Sequence, residues 1–172
     1  MLGSVFRWAD AISSALSRLS EAVALLLVAS MIYEVVARYI FGAPTLWAFD
    51  LSYMSTGVLF ILGAGQALRD GAHIRIDFLS SRFPARIRNL IDGIAFVFLL
   101  TPLLGALAWV GVRRAWTAFV TGEVETVSPW APLMWPFYSL LALGLVALAL
   151  QIAVEGIRAL AGRDIAVYSE KA

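Results

Sequence analysis

Four long runs of apolar residues, separated by short polar segments, dominate the chain. The runs cover about 21–40, 46–68, 85–112 and 133–157. Each is long enough for a helix to cross roughly 30 Å of hydrocarbon, which takes about 20 residues. A membrane β-barrel would instead show alternating polarity within ten-residue segments. The pattern therefore predicts an all-α integral membrane protein with four transmembrane helices, forming a single membrane domain over residues 1–172.

The first 20 residues differ from these runs because their apolar positions recur in steps of three and four. One helical face carries Val5, Trp8, Ile12, Leu16 and Leu19. Arginine, aspartate and serine side chains occupy the other face, so the segment is too polar to span a membrane. It predicts an amphipathic helix that lies in the membrane interface. The alternative is a signal peptide with its apolar core at 22–32, but the polar lead is long and no small-residue cleavage site follows.

Composition supports a membrane protein and excludes several kinds of chemistry. Hydrophobic residues make up 61% of the chain and charged residues 15%, against about 45–50% and 25% in soluble domains. The chain has no cysteine, which removes disulfides, thiol catalysis and iron–sulfur clusters. Its one histidine cannot form a bis-histidine haem site. We therefore expect no catalytic residue, metal or cofactor, and the net charge of +1 gives no indication of nucleic acid binding.

Basic residues are distributed unevenly between the segments that flank the spans. If the N-terminus lies in the cytoplasm, ten Lys and Arg residues are on the inner side and three are on the outer side. The positive-inside rule then predicts that both termini are cytoplasmic. The outer residues are Arg38, Arg113 and Arg114. Because Arg113 and Arg114 oppose the bias, they are predicted either to dock a partner with an acidic surface or to bind lipid headgroups.

Glu34 and Arg38 lie four residues apart in the first run, so a helix brings them to one face. An isolated charge near the centre of a span costs about 2.5–3.5 kcal/mol on insertion scales. Pairing the two side chains and turning them toward protein is therefore the cheaper arrangement. The alternative is that both reach the outer interface by snorkelling. Glu34 is the deeper residue and the better candidate for an inward-facing group.

The connection at 41–45 is short and contains glycine and proline, so the first two spans form an antiparallel hairpin. Asp50, at the start of the second span, either pairs with Arg38 across this hairpin or caps its own helix, where the helix dipole favours a carboxylate. The first arrangement would fix the register of the two helices. Trp47 is predicted to be an interface anchor.

The exit of the second span is a polar cluster that contains the only histidine. Arg69, His73 and Asp77 are predicted either to lock this exit against a partner subunit or the following basic loop, or to form a solvated cluster that faces lipid headgroups. A catalytic role for His73 is not indicated, because no metal ligand or nucleophile lies nearby in the sequence.

Three motifs, in this order and spacing, resemble one transporter family. They are RYIFG at 38–42, WAFD at 47–50 and LRDGAHIRID at 68–77. Together with four spans and an amphipathic N-terminus, they resemble the DctQ-type small membrane subunit of tripartite ATP-independent periplasmic (TRAP) transporters. The resemblance covers nearly the whole chain.

This resemblance implies a division of labour in a bacterial inner membrane. A soluble periplasmic protein captures the substrate, usually an organic acid. A large multi-span subunit holds the substrate and sodium sites and moves during transport. The small subunit packs against the static scaffold of the large subunit and helps to dock the binding protein. In that interpretation the chain transports nothing alone.

The alternative function is an independent four-span channel or carrier that forms homo-oligomers. Such a protein would need a polar face that recurs along at least one span. Gln66, Gln151 and Glu155 lie too near the ends of their spans to line a path. No span shows the broken helix or clustered acids of a midplane transport site, which agrees with a scaffold.

Overall fold

The computed structural model describes residues 2–69 and 85–161, most of which are helical. The helices are α1 (Leu2–Tyr39), α2 (Ala48–Arg69), α3 (Ala85–Ile94), α4 (Thr101–Thr121) and α5 (Trp135–Leu160), and a π-helical segment, Ala95–Leu100, joins α3 to α4. Four helical segments are long and apolar enough to cross a membrane: α1, α2, the α3–α4 unit and α5. The prediction of an all-α membrane protein with four spans is therefore confirmed.

Helix α1 continues without a break from one end of the bundle to the other. Its 38 residues correspond to about 57 Å, nearly twice the thickness of the hydrocarbon core. No glycine or proline occurs between Gly3 and Gly42 to interrupt it. The segment predicted as an interfacial helix is thus the N-terminal half of α1 rather than a separate element. Ser13 and Leu16 in this half are buried against other helices.

A left-handed glycine ends α1. Gly42 has φ +62°, and the Ala43 N–H donates to the Ala37 carbonyl at 2.9 Å. A glycine in the left-handed conformation just after the last helical turn is a common helix ending, because it turns the chain so that a later N–H can reach an unpaired carbonyl. Pro44 follows and cannot continue the helix, so α2 returns antiparallel to α1.

Helices α2 and α5 lie at the centre of the bundle. Helix α1 packs on both of them, while α3 and α4 pack on the other side of α5. The buried centre consists of Leu16, Val58, Leu62 and Ala147. At Gly144 the backbones of α5 and α2 approach so closely that a Cβ atom would lie 3.1 Å from the Ile61 carbonyl carbon. The middle of the bundle is therefore apolar and closely packed.

Pro102 changes the hydrogen bonding of the third span. Because proline has no N–H, the normal bond to the carbonyl four residues earlier is lost. The Thr101 N–H and hydroxyl both donate to the Phe96 carbonyl, the hydroxyl at 2.7 Å. That five-residue step is the spacing of a π-helix. The effect that the sequence predicted for Pro102, a bend or a freed carbonyl, takes the form of this π-helical segment.

Candidate functional site at the two ends of the bundle

Glu34 and Arg38 form an ion pair at the end of the bundle where α1 terminates. This end is called here the outer end, and the opposite one the inner end, after the orientation that the basic residues of the sequence predict. Arg38 donates to Glu34 Oε1 from Nε at 2.8 Å and from Nη2 at 2.5 Å. Glu34 Oε2 accepts from the Thr45 N–H at 2.9 Å and from the Thr45 hydroxyl. The Glu34 side chain is 11% exposed, against 55% for Arg38. The carboxylate thus faces protein and holds the α1–α2 turn, while the guanidinium reaches the surface.

The structure does not bring Asp50 and Arg38 together. Asp50 is 2% exposed, and its carboxylate accepts a hydrogen bond from the Ser128 hydroxyl. Over residues 2–69 and 85–161, no ion pair joins it to Arg38, whose guanidinium is engaged by Glu34. The pairing considered from the sequence is therefore wrong, because Asp50 ties α2 to a segment 78 residues away. Trp47 stacks on Tyr33 of α1 with ring centroids 5.7 Å apart.

The segment between α4 and α5, residues 122–134, is called here the outer loop. It folds into a short hairpin in which Val124 and Leu133 form an antiparallel bridge. The Glu125 N–H donates to the Pro132 carbonyl at 2.9 Å. These backbone bonds give the loop a defined shape, so it can hold side chains over the end of α2.

Two carboxylates connect the outer loop with α2. Glu125 accepts from the Tyr53 hydroxyl at 2.9 Å and from the Val127 N–H at 3.1 Å, and Asp50 accepts from Ser128. An open pocket of about 380 Å³ lies between the loop and α2, and both carboxylates line it. The outer end of the bundle therefore presents a surface whose shape is fixed by these hydrogen bonds.

Hydrogen bonds from the Val127 N–H and then the Tyr53 hydroxyl lower the pKa of Glu125 below its ordinary value of 4.5. A lowered folded-state pKa stabilises the structure above pH 4.5, and this stabilisation is lost as the pH falls through the lowered value. We expect the stability advantage of the wild type over Glu125→Gln to be constant above pH 4.5 and to shrink in stronger acid. Melting of both proteins in detergent across this range measures it. Tyr53→Phe removes one of the hydrogen-bond donors to Glu125, so the pH range below 4.5 over which this stabilisation is lost should become narrower. A stability advantage over Glu125→Gln that does not change with pH would contradict the prediction.

Arg113 and Arg114 are neighbours in sequence but have different surroundings. Arg114 Nη2 donates to Glu123 Oε1 at 2.5 Å, and its guanidinium carbon lies 5.0 Å from the centre of the Tyr138 ring. Arg113 is exposed, and its guanidinium has no ion-pair or hydrogen-bond partner in the described part of the chain. The two arginines that were predicted to act together therefore differ: Arg114 is neutralised by Glu123, whereas the Arg113 guanidinium has no partner among the described residues.

At the opposite, inner end, Arg158 of α5 joins two carboxylates. Its Nη2 lies 2.8 Å from Asp10 Oδ2 of α1, and its Nη1 lies 2.6 Å from Glu155 Oε1. The Arg158 side chain is only 18% exposed and Glu155 is 1% exposed. This arrangement fixes the N-terminal half of α1 to the end of α5.

Gln151 extends this inner network toward the middle of the bundle. It is completely buried, accepts from the Ser13 hydroxyl at 2.9 Å and donates to Glu155 Oε1 at 3.1 Å. Beside it, the Ser14 hydroxyl donates to Gln66 of α2 at 3.3 Å. Glu155 Oε2 is buried and has no hydrogen-bond partner among the residues that the structure describes. Three helices are thus joined by polar side chains at this end.

The sequence pattern places Gln151 and Glu155 near a span end but does not by itself connect them with Asp10 and Arg158. A signal was present, because polar residues recur in steps of three and four on both helices. On α1 they are Asp10, Ser13, Ser14 and Ser17, and on α5 they are Gln151, Glu155 and Arg158. Matching polar stripes near the same end of two spans favour an interhelical network over a solvated face.

The predicted cluster at the exit of the second span is only partly described. Arg69 is the last residue of α2, whereas His73 and Asp77 lie outside the described residues. In the remainder, no group of three or more His, Asp or Glu side chains is arranged to hold a metal.

Comparison with family models shows which protein family the chain belongs to. The family model for the DctQ component of tripartite ATP-independent periplasmic transporters matches residues 27–162. The chain belongs to the DctQ family. Its members are the small membrane subunits of TRAP transporters, which work with a large membrane subunit and a binding protein. The family is a transporter component and not a catalytic one. No curated protein and no solved structure gives a significant match.

Proposed function

We propose that this DctQ-family chain is the non-transporting small permease subunit of a sodium-coupled, binding-protein-dependent secondary transporter for organic acids. It supports the large subunit and helps to dock the periplasmic binding protein. One observation carries the proposal: among the described residues, the buried carboxylates Glu34, Asp50 and Glu155 lie at the two ends of the bundle, with a closely packed apolar cluster between them. The chain is thus suited to hold other proteins in place.

The apolar centre argues against an independent channel or carrier. Transport sites in secondary transporters lie near the bilayer midplane, where broken helices expose backbone groups. Here Val58 and Leu62 of α2 pack with Ala147 of α5 at that level. The π-helical segment, Ala95–Leu100, contains only apolar residues. None of these side chains offers a ligand to an ion or an organic acid.

The peripheral spans provide the surface for a larger partner. In the apolar part of α5, 39% of residues are buried within the chain, whereas the corresponding figures are 17% for α1 and 11% for the α3–α4 unit. Wide apolar faces of α1 and α4 therefore remain available to the large subunit or to lipid. In a membrane, close packing of such faces can hold helices together without a hydrophobic driving force.

The distribution of basic residues supports an orientation for this complex. We place both termini in the cytoplasm of a bacterium and the outer loop in the periplasm, with the chain in the inner membrane. The inner network then lies on the cytoplasmic side. The binding protein would meet the outer loop together with Arg114, where Glu125 and Asp50 hold the surface in shape.

Co-purification tests this function directly. The tagged chain is extracted from its native membrane in mild detergent and its partners are identified and quantified. We expect one large multi-span protein in stoichiometric amount. In proteoliposomes, sodium-driven uptake should require this partner and the binding protein together. A pure homo-oligomer, or uptake by the chain alone, would overturn the proposal.

Arg114 provides a test of docking that is separate from assembly. Replacing it with glutamine removes a cation near the outer surface, so association with the binding protein should slow by a few-fold at low salt. High salt should reduce the difference. Uptake at limiting binding protein measures the rate, while co-purification of the large subunit shows that assembly is intact. If complexes with the wild-type chain and with Arg114→Gln show equal uptake at low salt, this docking role of Arg114 is excluded.

A further inference from the structure

The outward face of α4 combines one arginine with two exposed tryptophans. Trp109 precedes Arg113 by four residues and Trp116 follows it by three, so all three share a helical face. The tryptophans are 66% and 67% exposed. Arg113 has no partner of its own among the described residues, unlike Arg114, which Glu123 satisfies. This face therefore presents an unneutralised cation in an aromatic, apolar setting.

Trp116 also forms a wall of an apolar groove between α4 and α5. The groove has a volume of about 520 Å³. Its one hydroxyl side chain, Ser139, donates to the Trp135 carbonyl at 2.7 Å, and its other side-chain donors are the indole N–H groups of Trp116 and Trp135. The other lining residues are Val112, Ala115, Phe119, Trp135, Ala142, Leu143 and Val146. The groove thus suits a hydrocarbon chain and not a polar ligand.

The length of the groove matches one leaflet of a bilayer. Along α5 it extends from Trp135 to Val146, which is about 16 Å of helix, roughly half of the 30 Å hydrocarbon core. Gly111 packs against Ala142, so Arg113 lies level with the groove. Its neighbour Arg114 reaches Glu123 beyond the end of α4. An arginine at this level can therefore extend to the headgroup region.

We propose that this groove holds an acyl chain of an anionic phospholipid of the outer leaflet, and that Arg113 binds the phosphate of the same molecule. A phospholipid supplies both features that the face lacks, a hydrocarbon chain for the groove and an anion for the guanidinium. The tryptophans fit this occupant because they favour the membrane interface. In this proposal Arg113 binds lipid, whereas Arg114 belongs to the surface that meets the binding protein. A helix of the large subunit is the competing occupant, and the test separates the two.

Fluorescence quenching by brominated lipids tests this site in the assembled complex. The complex is reconstituted in phosphatidylcholine vesicles that contain the same mole fraction of either brominated phosphatidylglycerol or brominated phosphatidylcholine. The fluorescence of Trp116 is obtained by subtracting the signal of Trp116→Phe from that of the wild type. We expect brominated phosphatidylglycerol to quench the Trp116 fluorescence at about fivefold lower mole fraction than brominated phosphatidylcholine, because that is the gain in affinity that one basic residue provides for an anionic lipid. Arg113→Gln should abolish the preference, whereas Arg114→Gln, at the same depth, should retain it.

A second variant tests the groove without changing any charge. Val146→Phe fills the inner end of the groove and should reduce quenching of Trp116 by phosphatidylglycerol, while unchanged gel filtration and tryptophan emission show that the protein is folded. Equal quenching by the two lipids in the wild type would overturn the proposal. A preference that survives in Arg113→Gln would overturn it as well. Absence of quenching by either lipid would show that protein covers the groove, which also contradicts lipid binding.

Discussion

Arg158→Ala is expected to weaken the attachment of the N-terminal half of α1 to α5 and to destabilise the protein by about 3–5 kcal/mol, because removing one partner of a buried ion pair leaves the other uncompensated. Arg158 bonds to Asp10 at 2.8 Å and to Glu155 at 2.6 Å. In the variant, Glu155 Oε1 would keep only the Gln151 amide at 3.1 Å, and Oε2 has no partner in the described chain. Unfolding in graded sodium dodecyl sulfate, followed by tryptophan fluorescence, measures the loss.

Arg38→Ala is the matched control, since Arg38 also donates to a glutamate of its own helix. That side chain is 55% exposed, and exposed ion pairs contribute at most about 1 kcal/mol. Glu34 would also keep both of its bonds to Thr45. We therefore expect a small effect, and equal effects of the two substitutions would contradict the assigned role of burial. Combining Arg158→Met with Glu155→Gln should recover part of the stability, because the most deeply buried charge at this site, that of Glu155, is then removed as well.

The hairpin and the spans were predictable because their signals are local. Apolar runs mark helices that cross a membrane, and the proline after the first run prevents its continuation. The proline at position 102 likewise acts on carbonyls within one turn of its own helix. The continuity of α1 was local too, since no breaker lies between Gly3 and Gly42. It was missed because the serine side of this segment resembled a solvated face, whereas Ser13 bonds to the buried Gln151.

The polar partners at both ends depended on tertiary structure. Asp50 and Ser128 are 78 residues apart and Asp10 and Arg158 are 148 apart, so no short-range rule connects them. Pairing of Asp50 with Arg38, one of the two arrangements that the sequence left open, relied on proximity across one turn. It failed because Glu34, on the same helix as Arg38, engages that guanidinium.

The difference between Arg113 and Arg114 has a geometric cause. Successive residues of a helix point about 100° apart, so one arginine faces Tyr138 and the outer loop while the other does not. A sequence pair of like charges suggests a shared role, but a helix divides the pair between two surfaces. Only the packing of α4 against α5 determines which arginine keeps a free guanidinium.

Gly144→Leu is expected to separate the two central helices and to destabilise the bundle by about 1–3 kcal/mol, the range for overpacked cores. A Cβ atom at this position would lie 2.8 Å from Ile61 Cγ2 and 3.1 Å from the Ile61 carbonyl carbon. A side-chain tip could rotate away, but a backbone atom cannot yield without moving α2. Because α2 also holds the outer loop through Tyr53 and Asp50, the displacement should weaken those contacts as well.

Gly105→Leu is the matched control for this substitution. Gly105 is also a helical glycine within a span, but nothing lies within 4 Å of a Cβ atom there. Leucine should be tolerated at that site and can favour the helix by up to about 1 kcal/mol. Unfolding of both variants in sodium dodecyl sulfate, together with recovery of the large subunit in pull-downs, gives the comparison. A Gly144 variant as stable as the Gly105 variant would show that the α2–α5 contact is not tight, and the apolar centre would lose its value as an argument against a transport path.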